Sequence, residues 1–408
     1  MLAIQDIRNH KEKLAKVAKG KNINIDIDKI IELDDKRKNL QKQIDDTTFE
    51  QKKHTKTWDI DKAKHYKTNI KEAKSAYQEV EQELQELLYQ VPNFVDKTVP
   101  FWISEEDNQV IKQNLSKPTF DFTPLDHQTI GEKLWYLDKQ QASKTSWTRF
   151  FYLIGDFVKL QFALINYIFS VLTSENIIKD IIASNNLSLP STPFTPVVPP
   201  SIINFKTMSK MWRLHPMDDR YCFPHDEQVL IWSAEHSLWP LLMDKTLSQD
   251  KLPVRYFAYT SSFRREAWTY WKDTKWIFRT HEFHKIELES FTTPDKGKEE
   301  LRLNVGIQEY LVSSLWLSYQ VINKCTWDIG KMNYLGIDIE TFMPWQNTYR
   351  ETHTADYMTD YQARRLNIKI ADWEYKNNYI HMNDATGFAL WRTLIAIIEN
   401  YQQKNGTI

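Results

Sequence analysis

The chain has 408 residues, of which 26% are charged and 41% are hydrophobic, and its formal net charge is −1. This is the composition of a soluble globular protein with room for two or three domains, and the near-zero charge excludes a chain that is basic throughout, so any nucleic-acid contact must come from a local patch. The cysteines, Cys222 and Cys325, are isolated, which excludes a CxxC zinc site, and no apolar run reaches signal-peptide or membrane-span length; we therefore expect a cytoplasmic protein with no membrane partner and no zinc.

After a short helix and linker in residues 1 to about 25, the sequence predicts two long helices between Ile27 and about Tyr89. This stretch contains neither Gly nor Pro, and apolar residues recur at steps of three and four, as in a coiled coil. The predicted seams are Ile30, Leu33, Arg37, Leu40, Ile44 and Thr47 in the first helix and Ile70, Ala73, Tyr77, Val80, Leu84 and Leu87 in the second. A polar break at residues 56–59 would let the two helices fold back antiparallel.

The far end of this helical hairpin is locally cationic. Residues 42–74 contain nine Lys against six Asp or Glu, together with His54 and His65. A helical hairpin alone is most often a dimerisation coiled coil. A positive end on a near-neutral protein instead favours binding to an RNA backbone.

The second helix ends at Val91-Pro92-Asn93, because proline cannot continue a helix. A linker follows in residues 93–125, and DHQTIGEKLWYLD begins a new domain. A helix is predicted over Leu160–Leu172. It leads, through a connection in residues 173–194, to the proline-rich segment 190–200 and into Ile202.

Residues 263–283, FRREAWTYWKDTKWIFRTHEF, predict a β-hairpin with a long charged tip. The flanking segments, Val254–Thr260 and Ile277–Leu288, are rich in β-branched and aromatic residues and are predicted strands. By the strand period of two, Arg264 and Glu266 share a face on the first strand. On the second strand one face is shared by Arg279, His281, Phe283, Lys285 and Glu287, so one sheet surface offers cations, a carboxylate and an aromatic ring.

This sheet face would suit a nucleoside triphosphate held beside an amino acid. A guanidinium can donate two parallel hydrogen bonds to phosphate or carboxylate oxygens, Phe283 can stack on a base, and Glu287 can bind an ammonium group. A charged hairpin taken alone is more often a surface element with solvated ion pairs.

The order F-R-x-E-A, a loop, and then R-x-H-E-F-x-K-x-E resembles motif 2 of the seryl-tRNA synthetases, which are class II aminoacyl-tRNA synthetases. Other segments resemble the same family. FTPVVPP is similar to motif 1, Ser233-Ala234-Glu235 to the family's serine-binding triplet, and Asn383–Tyr401 to motif 3. Residues 351–354 lie where the family has a loop that contacts ATP, and the N-terminal hairpin resembles the family's tRNA-binding arm.

The resemblance implies an α+β fold: an antiparallel β-sheet catalytic domain with helices, preceded by an antiparallel coiled-coil arm. The implied domains are the arm, residues 1–105, and the catalytic domain, residues 106–408, with a C-terminus shorter than is usual in the family. The implied reaction is activation of L-serine by ATP with Mg²⁺ and transfer to tRNA(Ser), with tRNA(Sec) as a second candidate substrate. The implied assembly is a homodimer that contacts itself through motif 1.

The resemblance also implies roles for individual residues. Arg264 would neutralise the α-phosphate and Arg392 the γ-phosphate end, as the catalytic pair, and Glu351 would hold Mg²⁺. The implied ATP-binding residues are Arg264, Arg265, Glu266, Phe283, Glu351, Thr352, His353, Thr354 and Arg392. The implied serine-binding residues are Ser233, Ala234, Glu235, Arg264, Glu287 and Thr386.

Two alternatives remain open on the sequence. A coiled-coil scaffold would not need Arg264, Phe283 and Arg392 at the family spacing. A catalytically impaired relative that binds RNA or a protein partner would usually have lost some of these residues, and none is lost here.

The composition has one abnormal feature: 9 Gly against 15 Trp, although Gly should make up about 7% of a chain. The family resemblance places glycine at eight positions that are Trp here: Trp232, Trp239, Trp268, Trp271, Trp276, Trp327, Trp345 and Trp391. Trp391 beside Arg392 is expected to crowd the ATP pocket. The hypothesis is that many of these codons are UGA and are read as glycine in the source cell; ordinary substitution is the alternative.

Overall fold

The computed structural model describes residues 1–56, 59–101, 104–266, 277–371 and 378–408. The predicted break at residues 57 and 58 and the hairpin tip at residues 267–276 lie outside this part of the chain. The described chain divides into two compact units, Met1–Phe94 and Val95–Ile408.

The first unit is helical. Its helices are α1 (Ile4–Asn9), α2 (Lys11–Gly20), α3 (Ile27–Lys56) and α4 (Ile60–Gln90). The side chain of Asp59 caps the start of α4 by accepting a hydrogen bond from the backbone N–H of Lys62. The two long helices and their limits confirm the predicted coiled-coil hairpin.

Helices α3 and α4 pack along the predicted seams. Ile30, Leu33, Val80 and Leu84 are each at most 4% exposed. Near the C-terminal end of α4, Leu88 rather than the predicted Leu87 is the buried residue. Cross-helix ion pairs, such as Arg37 Nη1 to Glu81 Oε2 at 3.5 Å, flank the seam.

The second unit contains fifteen strands among its described residues. They are β1 (Gln109–Asn114), β2 (Leu137–Asp138), β3 (Tyr152–Leu153), β4 (Thr195–Pro196), β5 (Ile202–Asn204), β6 (Cys222–Phe223), β7 (Gln228–Leu230), β8 (Thr246–Ser248), β9 (Val254–Phe263), β10 (Glu282–Thr292), β11 (Tyr319–Asn323), β12 (Leu335–Met343), β13 (Thr348–Thr359), β14 (Lys369–Ala371) and β15 (His381–Ala389). Its α-helices are α5 (His127–Lys133), α6 (Lys139–Thr145), α7 (Asp156–Leu172), α8 (Glu175–Ser184), α9 (Phe205–Lys210), α10 (Glu235–Leu238), α11 (Gly297–Ser314), α12 (Tyr361–Leu366) and α13 (Leu390–Tyr401).

Eight strands form the central sheet, in the order β1-β11-β12-β13-β15-β10-β9-β4. Every neighbouring pair is antiparallel except β4 and β9, which are parallel. Helices α7, α8, α11 and α13 contribute buried residues to one large apolar core with this sheet. The antiparallel sheet with helices confirms the predicted fold class.

Helices α7 and α8 make the predicted connection between the domain start and the proline-rich segment. Helix α8 occupies much of residues 173–194, and the chain then reaches the central sheet as the short strand β4. Within the described residues no single helix is both long and apolar enough to cross a membrane, although α7 and α8 would meet that criterion together, by length and composition only, with a 74° bend between them.

Two local predictions are wrong: the limits of the strands at the hairpin and the loop at residues 351–354. Strand β10 begins at Glu282, so Ile277, Arg279 and His281 precede it as turn residues; likewise Arg264 and Glu266 follow the end of β9, and Glu266 has a φ of 53°. Residues 351–354, predicted as a loop, lie within the long strand β13.

Candidate active site

One cavity opens over the middle of the central sheet. It has a volume of about 110 Å³ and lies where β9, β10, β13, β15 and the start of α13 meet. Eight of the predicted site residues line it: Arg264, Glu266, Phe283, Glu351, Thr352, Thr354, Thr386 and Arg392. The sheet therefore brings together most of the residues predicted to bind ATP.

Arg264 is fixed at the end of β9 by a backbone clamp. Its N–H donates to the carbonyl oxygen of His281 at 2.9 Å, and Nδ1 of His281 lies 2.9 Å from the carbonyl oxygen of Arg264. This clamp joins the two ends of the hairpin tip. The Arg264 guanidinium lies over the ring of Phe283, with Cζ 4.9 Å from the centroid.

Glu266 holds a second guanidinium at the same edge, with Nη1 of Arg279 3.4 Å from its Oε2. Burial lowers the pKa of Arg264, while the carboxylates of Glu266, Glu235 and Glu351 act in the opposite direction. The guanidinium groups of Arg264 and Arg279 therefore lie together at this edge of the cavity, where anionic groups can neutralise them.

Arg392 lies in the first turn of α13, after strand β15, and contacts strand β13. Its Nη1 lies 3.0 Å from Oε1 of Glu351 and donates to the carbonyl oxygen of Glu351 at 2.9 Å. Burial alone would raise the pKa of Glu351, but Arg392, Lys324 and Arg264 together outweigh it and lower the pKa. Glu351 lies directly opposite Glu340 in the β12–β13 ladder, so two carboxyl groups share one face.

Glu287 and Thr386 lie directly opposite each other in the β10–β15 ladder. Glu287 is 1% exposed and forms an ion pair with Lys285. Burial raises the pKa of Glu287 to about 7, against the opposing effect of Lys285. A carboxyl group that is partly protonated near neutral pH is poised to respond to a cationic ligand.

The triplet Ser233-Ala234-Glu235 is buried beside this ladder, with Glu235 at 5% exposure. Oε1 of Glu235 lies 3.7 Å from Nη2 of Arg213 and 3.5 Å from Nε2 of His236, whereas its Oε2 is buried with no hydrogen-bond partner among the described residues. Burial would raise the pKa of Glu235, but His236, Lys285 and Arg213 outweigh it and lower the pKa to about 2. An ionised carboxylate with an oxygen that has no partner can accept a hydrogen bond from a ligand.

Gln308 of α11 supports the floor of the cavity from the other face of the sheet. Its Nε2 donates to the carbonyl oxygens of Thr354 at 2.7 Å and Thr386 at 2.9 Å. Both threonines line the cavity. One amide group thus ties strands β13 and β15 together beneath the site.

Six predicted site residues do not line this cavity: Ser233, Ala234, Glu235 and Glu287, which lie beside it as described above, and His353 and Arg265. His353 is 1% exposed, with Nδ1 2.8 Å from Oγ1 of Thr352, and burial lowers its pKa to about 3. Arg265 is exposed at the edge of the described chain, and its backbone N–H donates to the carbonyl oxygen of Asp219 at 3.5 Å.

Trp391 narrows the cavity. The residue is 9% exposed, and its ring packs against Phe151 at 4.7 Å and His284 at 5.1 Å between centroids. The cavity of about 110 Å³ shares Glu351 and Arg392 with a neighbouring cavity of about 470 Å³. The indole thus borders one part of the site, and the expected crowding of ATP stays a prediction. Trp268, Trp271 and Trp276 lie outside the described residues.

Several supporting residues of the site carry no signal in the sequence, because their position depends on the fold. Arg213 and Gln308 reach the site from distant parts of the chain, so no local pattern singles them out. Lys285 lies on the predicted strand, and its spacing of two residues from Glu287 along that strand is the one sequence signal for their pairing.

Comparisons with known proteins agree with this arrangement. The family model of the seryl-tRNA synthetase N-terminal domain matches residues 1–95, and that of the tRNA synthetase class II core domain (G, H, P, S and T) matches residues 221–401. A serine–tRNA ligase from Maridesulfovibrio salexigens is 36% identical over 83% of this chain and 76% of its own. One from Petrotoga mobilis is 32% identical over 100% of this chain and 96% of its own.

Among solved structures, a seryl-tRNA synthetase from Pyrococcus horikoshii complexed with ATP superimposes with a TM-score of 0.88 at 28% identity. The match covers 100% of this chain and 96% of that one. Sequence similarity and fold therefore agree over the whole length of the chain. On this evidence the chain belongs to the seryl-tRNA synthetase family of class II aminoacyl-tRNA synthetases.

Proposed function

We propose that this protein is a serine–tRNA ligase, which activates L-serine with ATP and transfers the seryl group to tRNA(Ser). The observation that carries the proposal is the pairing of Glu287 with Thr386 across two strands, beside a cavity that Arg264, Phe283 and Arg392 line. This arrangement offers separate contacts for an amino acid and for a nucleoside triphosphate.

ATP would lie along the edge that carries the two arginines. Phe283 would stack on adenine, Arg264 would neutralise the α-phosphate, and Arg392 would contact the γ-phosphate end. Glu266 and the threonines of β13, Thr352 and Thr354, line the same cavity. The family neighbour from Pyrococcus horikoshii, complexed with ATP, supports the choice of nucleotide.

The carboxylates at this edge fit a magnesium ion. Glu351 and Glu340 oppose each other in the strand ladder and both line a second cavity, which also includes Arg392. Arg392 already pairs with Glu351 at this face, and Mg²⁺ in nucleotide sites takes one or two carboxylates plus phosphate oxygens. When bound, the ion would neutralise charge on the departing phosphates.

Serine would bind with its ammonium group on Glu287. Its hydroxyl would be held by Glu235 and Thr386, with the Ser233-Ala234 turn beside them. Because Glu235 is buried and Oε2 has no hydrogen-bond partner among the described residues, alanine would leave this oxygen unpaired. A site built to bind a hydroxyl rejects the analogue that lacks it.

The chemistry proceeds in two displacements. A serine carboxylate oxygen attacks the α-phosphorus, the bond to pyrophosphate breaks, and seryl-adenylate forms. A ribose hydroxyl at the tRNA terminus then attacks the acyl carbon, loses its proton, and displaces AMP. The residues act by positioning and by charge stabilisation, and no covalent enzyme intermediate is required.

The helical hairpin α3–α4 would bind the tRNA. Its lysine-rich end provides a cationic surface, in which Lys52, Lys56, Lys64 and Lys67 are exposed. In the sequence-based division this arm is residues 1–105 and the catalytic domain is residues 106–408. tRNA(Sec) remains a second candidate substrate.

A homodimer would form through the segment that resembles motif 1. Two apolar side chains of this segment are exposed in the single chain: Val198 at 98% and Ile202 at 44%. A second copy of the chain packed on this segment would bury them. Analytical ultracentrifugation tests this assembly: a monomer at micromolar concentration would contradict it.

Charging of tRNA(Ser) with labelled serine tests the proposed function as a whole. We expect accumulation of seryl-tRNA that depends on ATP, and its loss in Glu287→Ala. Serine transfer by Glu287→Ala at the unsubstituted rate would overturn the assignment of the serine site, and failure of the unsubstituted protein in both charging and serine activation would overturn the proposed function.

A further inference from the structure

Three helices of the catalytic unit end with a tryptophan in the left-handed region. Trp135, Trp212 and Trp316 have φ values of 59°, 58° and 52° and follow the C-terminal ends of α5, α9 and α11. In each case the residue after the tryptophan donates its N–H to the carbonyl oxygen five positions earlier: Tyr136 to Gly131 at 2.9 Å, Arg213 to Met208 at 2.9 Å, and Leu317 to Val312 at 3.3 Å. Each tryptophan also donates to the carbonyl three positions earlier.

This pair of hydrogen bonds defines the Schellman helix ending, whose left-handed residue is usually glycine and sometimes asparagine. Two other helices of the chain have the same ending with asparagine. Asn22 has a φ of 52° and Asn186 a φ of 51°, with the same two bonds. A bulky side chain is an outlier there, because its Cβ approaches the neighbouring carbonyl oxygen.

The indole rings of two of these tryptophans gain no burial that would offset the strain. Trp135 is 83% exposed and Trp316 is 78% exposed. Another bulky residue with positive φ, Arg149, is by contrast 7% exposed. Trp212 is half-buried and lies between the charged groups of Lys331, at 5.0 Å, and Arg365, at 5.2 Å.

We propose that positions 135, 212 and 316 are glycine positions of this fold and that the source cell inserts glycine there. Translation must then read the codon written as Trp, a UGA, as glycine, which requires a tRNA that pairs with this codon and is charged with glycine. The 9 Gly and 15 Trp of the chain agree. The inference rests on backbone geometry at positions outside the cavity and is independent of the proposed function.

A Gly-against-Ala comparison tests the fold part of the proposal. Trp→Gly and Trp→Ala both remove the indole, but only glycine also removes the Cβ. At positions 135, 212 and 316, we expect the glycine variant to have an unfolding equilibrium constant about tenfold lower than the alanine variant.

Trp147 is the matched control, because it is 68% exposed and is not among the residues with positive φ. There the order should reverse, with Trp147→Ala more stable than Trp147→Gly. A second control is Asn186→Gly, which should change stability little. If alanine is as stabilising as glycine at the three helix ends, these are not glycine positions and the proposal fails.

Peptide mass spectrometry of the protein from its source cells tests the decoding part. We expect the peptides that span positions 135, 212 and 316 to carry the mass of glycine, and the gene to have UGA at these codons. Tryptophan in these peptides, or UGG at these codons, would overturn the proposal even if the stability series came out as expected.

Discussion

The guanidinium of Arg264 lies 4.9 Å from the centroid of the Phe283 ring and covers the face on which adenine would stack. Both groups belong to the proposed ATP site, and adenine can stack on this face of Phe283 only if the guanidinium moves away from it. ATP binding would exchange a cation–π contact for an adenine stack and release Arg264 towards the phosphates. The backbone clamp to His281 would keep Arg264 at the cavity during this change.

Arg264→Ala should reduce serine-dependent ATP–pyrophosphate exchange by about 100- to 1,000-fold. The basis is that one charge contact to the transition state contributes about 2.7–4 kcal/mol. The melting temperature should change little, because the side chain of Arg264 stacks at a cavity edge. Lys245→Ala, at an exposed lysine outside the cavity lining, is the control. An exchange rate equal to that of the control would remove Arg264 from the site.

The serine affinity should depend on pH through Glu287. Burial raises the pKa of Glu287 to about 7, from an ordinary value of about 4.3. Because the folded protein favours the protonated form of Glu287, this group adds to the free energy of unfolding below its ordinary pKa. The contribution is lost as the pH rises through about 7. The ionised form, which can bind an ammonium group, grows over the same interval.

KM for serine should therefore fall about tenfold between pH 6 and pH 8, because the ionised fraction of a group of pKa 7 rises from about one tenth to about nine tenths. Glu287→Gln should raise KM and remove the pH dependence. A pH profile that is unchanged in Glu287→Gln would show that another group controls serine binding.

The arm should act in tRNA charging and leave serine activation intact. Replacing Lys52, Lys56, Lys64 and Lys67 with Glu should lower kcat/KM for tRNA about tenfold and weaken its salt dependence, because phosphate contacts are lost. The exposed lysines Lys245 and Lys251 serve as a matched control. Deleting residues 30–87 should likewise leave exchange nearly intact and abolish charging; conversion of the deleted protein to a monomer would favour the dimerisation scaffold instead.

Trp391→Gly should tighten ATP binding by about tenfold. The indole lines the same cavity as Arg392, where the phosphates of ATP would bind. The variant should also lose some stability, since deleting a buried aromatic leaves a cavity. Isothermal titration with ATP measures the affinity, and Trp345→Gly, at a 41% exposed position, is the control. Equal or weaker ATP binding by Trp391→Gly would show that the indole does not obstruct the nucleotide.

The parts of the fold with strong local patterns could be predicted from the sequence. The limits of α3 and α4 follow from helical periodicity around a polar break, and β15 followed by α13 was predicted from one motif. The predicted start of β10 is five residues too early, because apolar and polar residues alternate over Ile277–His281 as in a strand. In the structure these residues belong to a turn. Residues 351–354 look like a polar loop, and only pairing with β12 makes them a strand.

The residues of the candidate site were predictable where a motif carries them and hidden where only the fold does. Arg264, Phe283, Thr386 and Arg392 meet at one cavity as their order along the chain suggested. The opposition of Glu340 to Glu351 depends on strand register, which includes a bulge between Ile339 and Glu340 that no local pattern predicts. The positive φ of Trp135 likewise appears only in the backbone.

Serine-dependent ATP–pyrophosphate exchange measures whether this protein activates serine. The exchange rate is measured with serine, alanine and threonine as substrates, for both the unsubstituted protein and the Trp391→Gly variant. We expect exchange with serine to exceed exchange with alanine by at least about 100-fold, and Trp391→Gly to be the faster of the two proteins. Exchange with serine no greater than exchange with alanine in both proteins would contradict the proposed function.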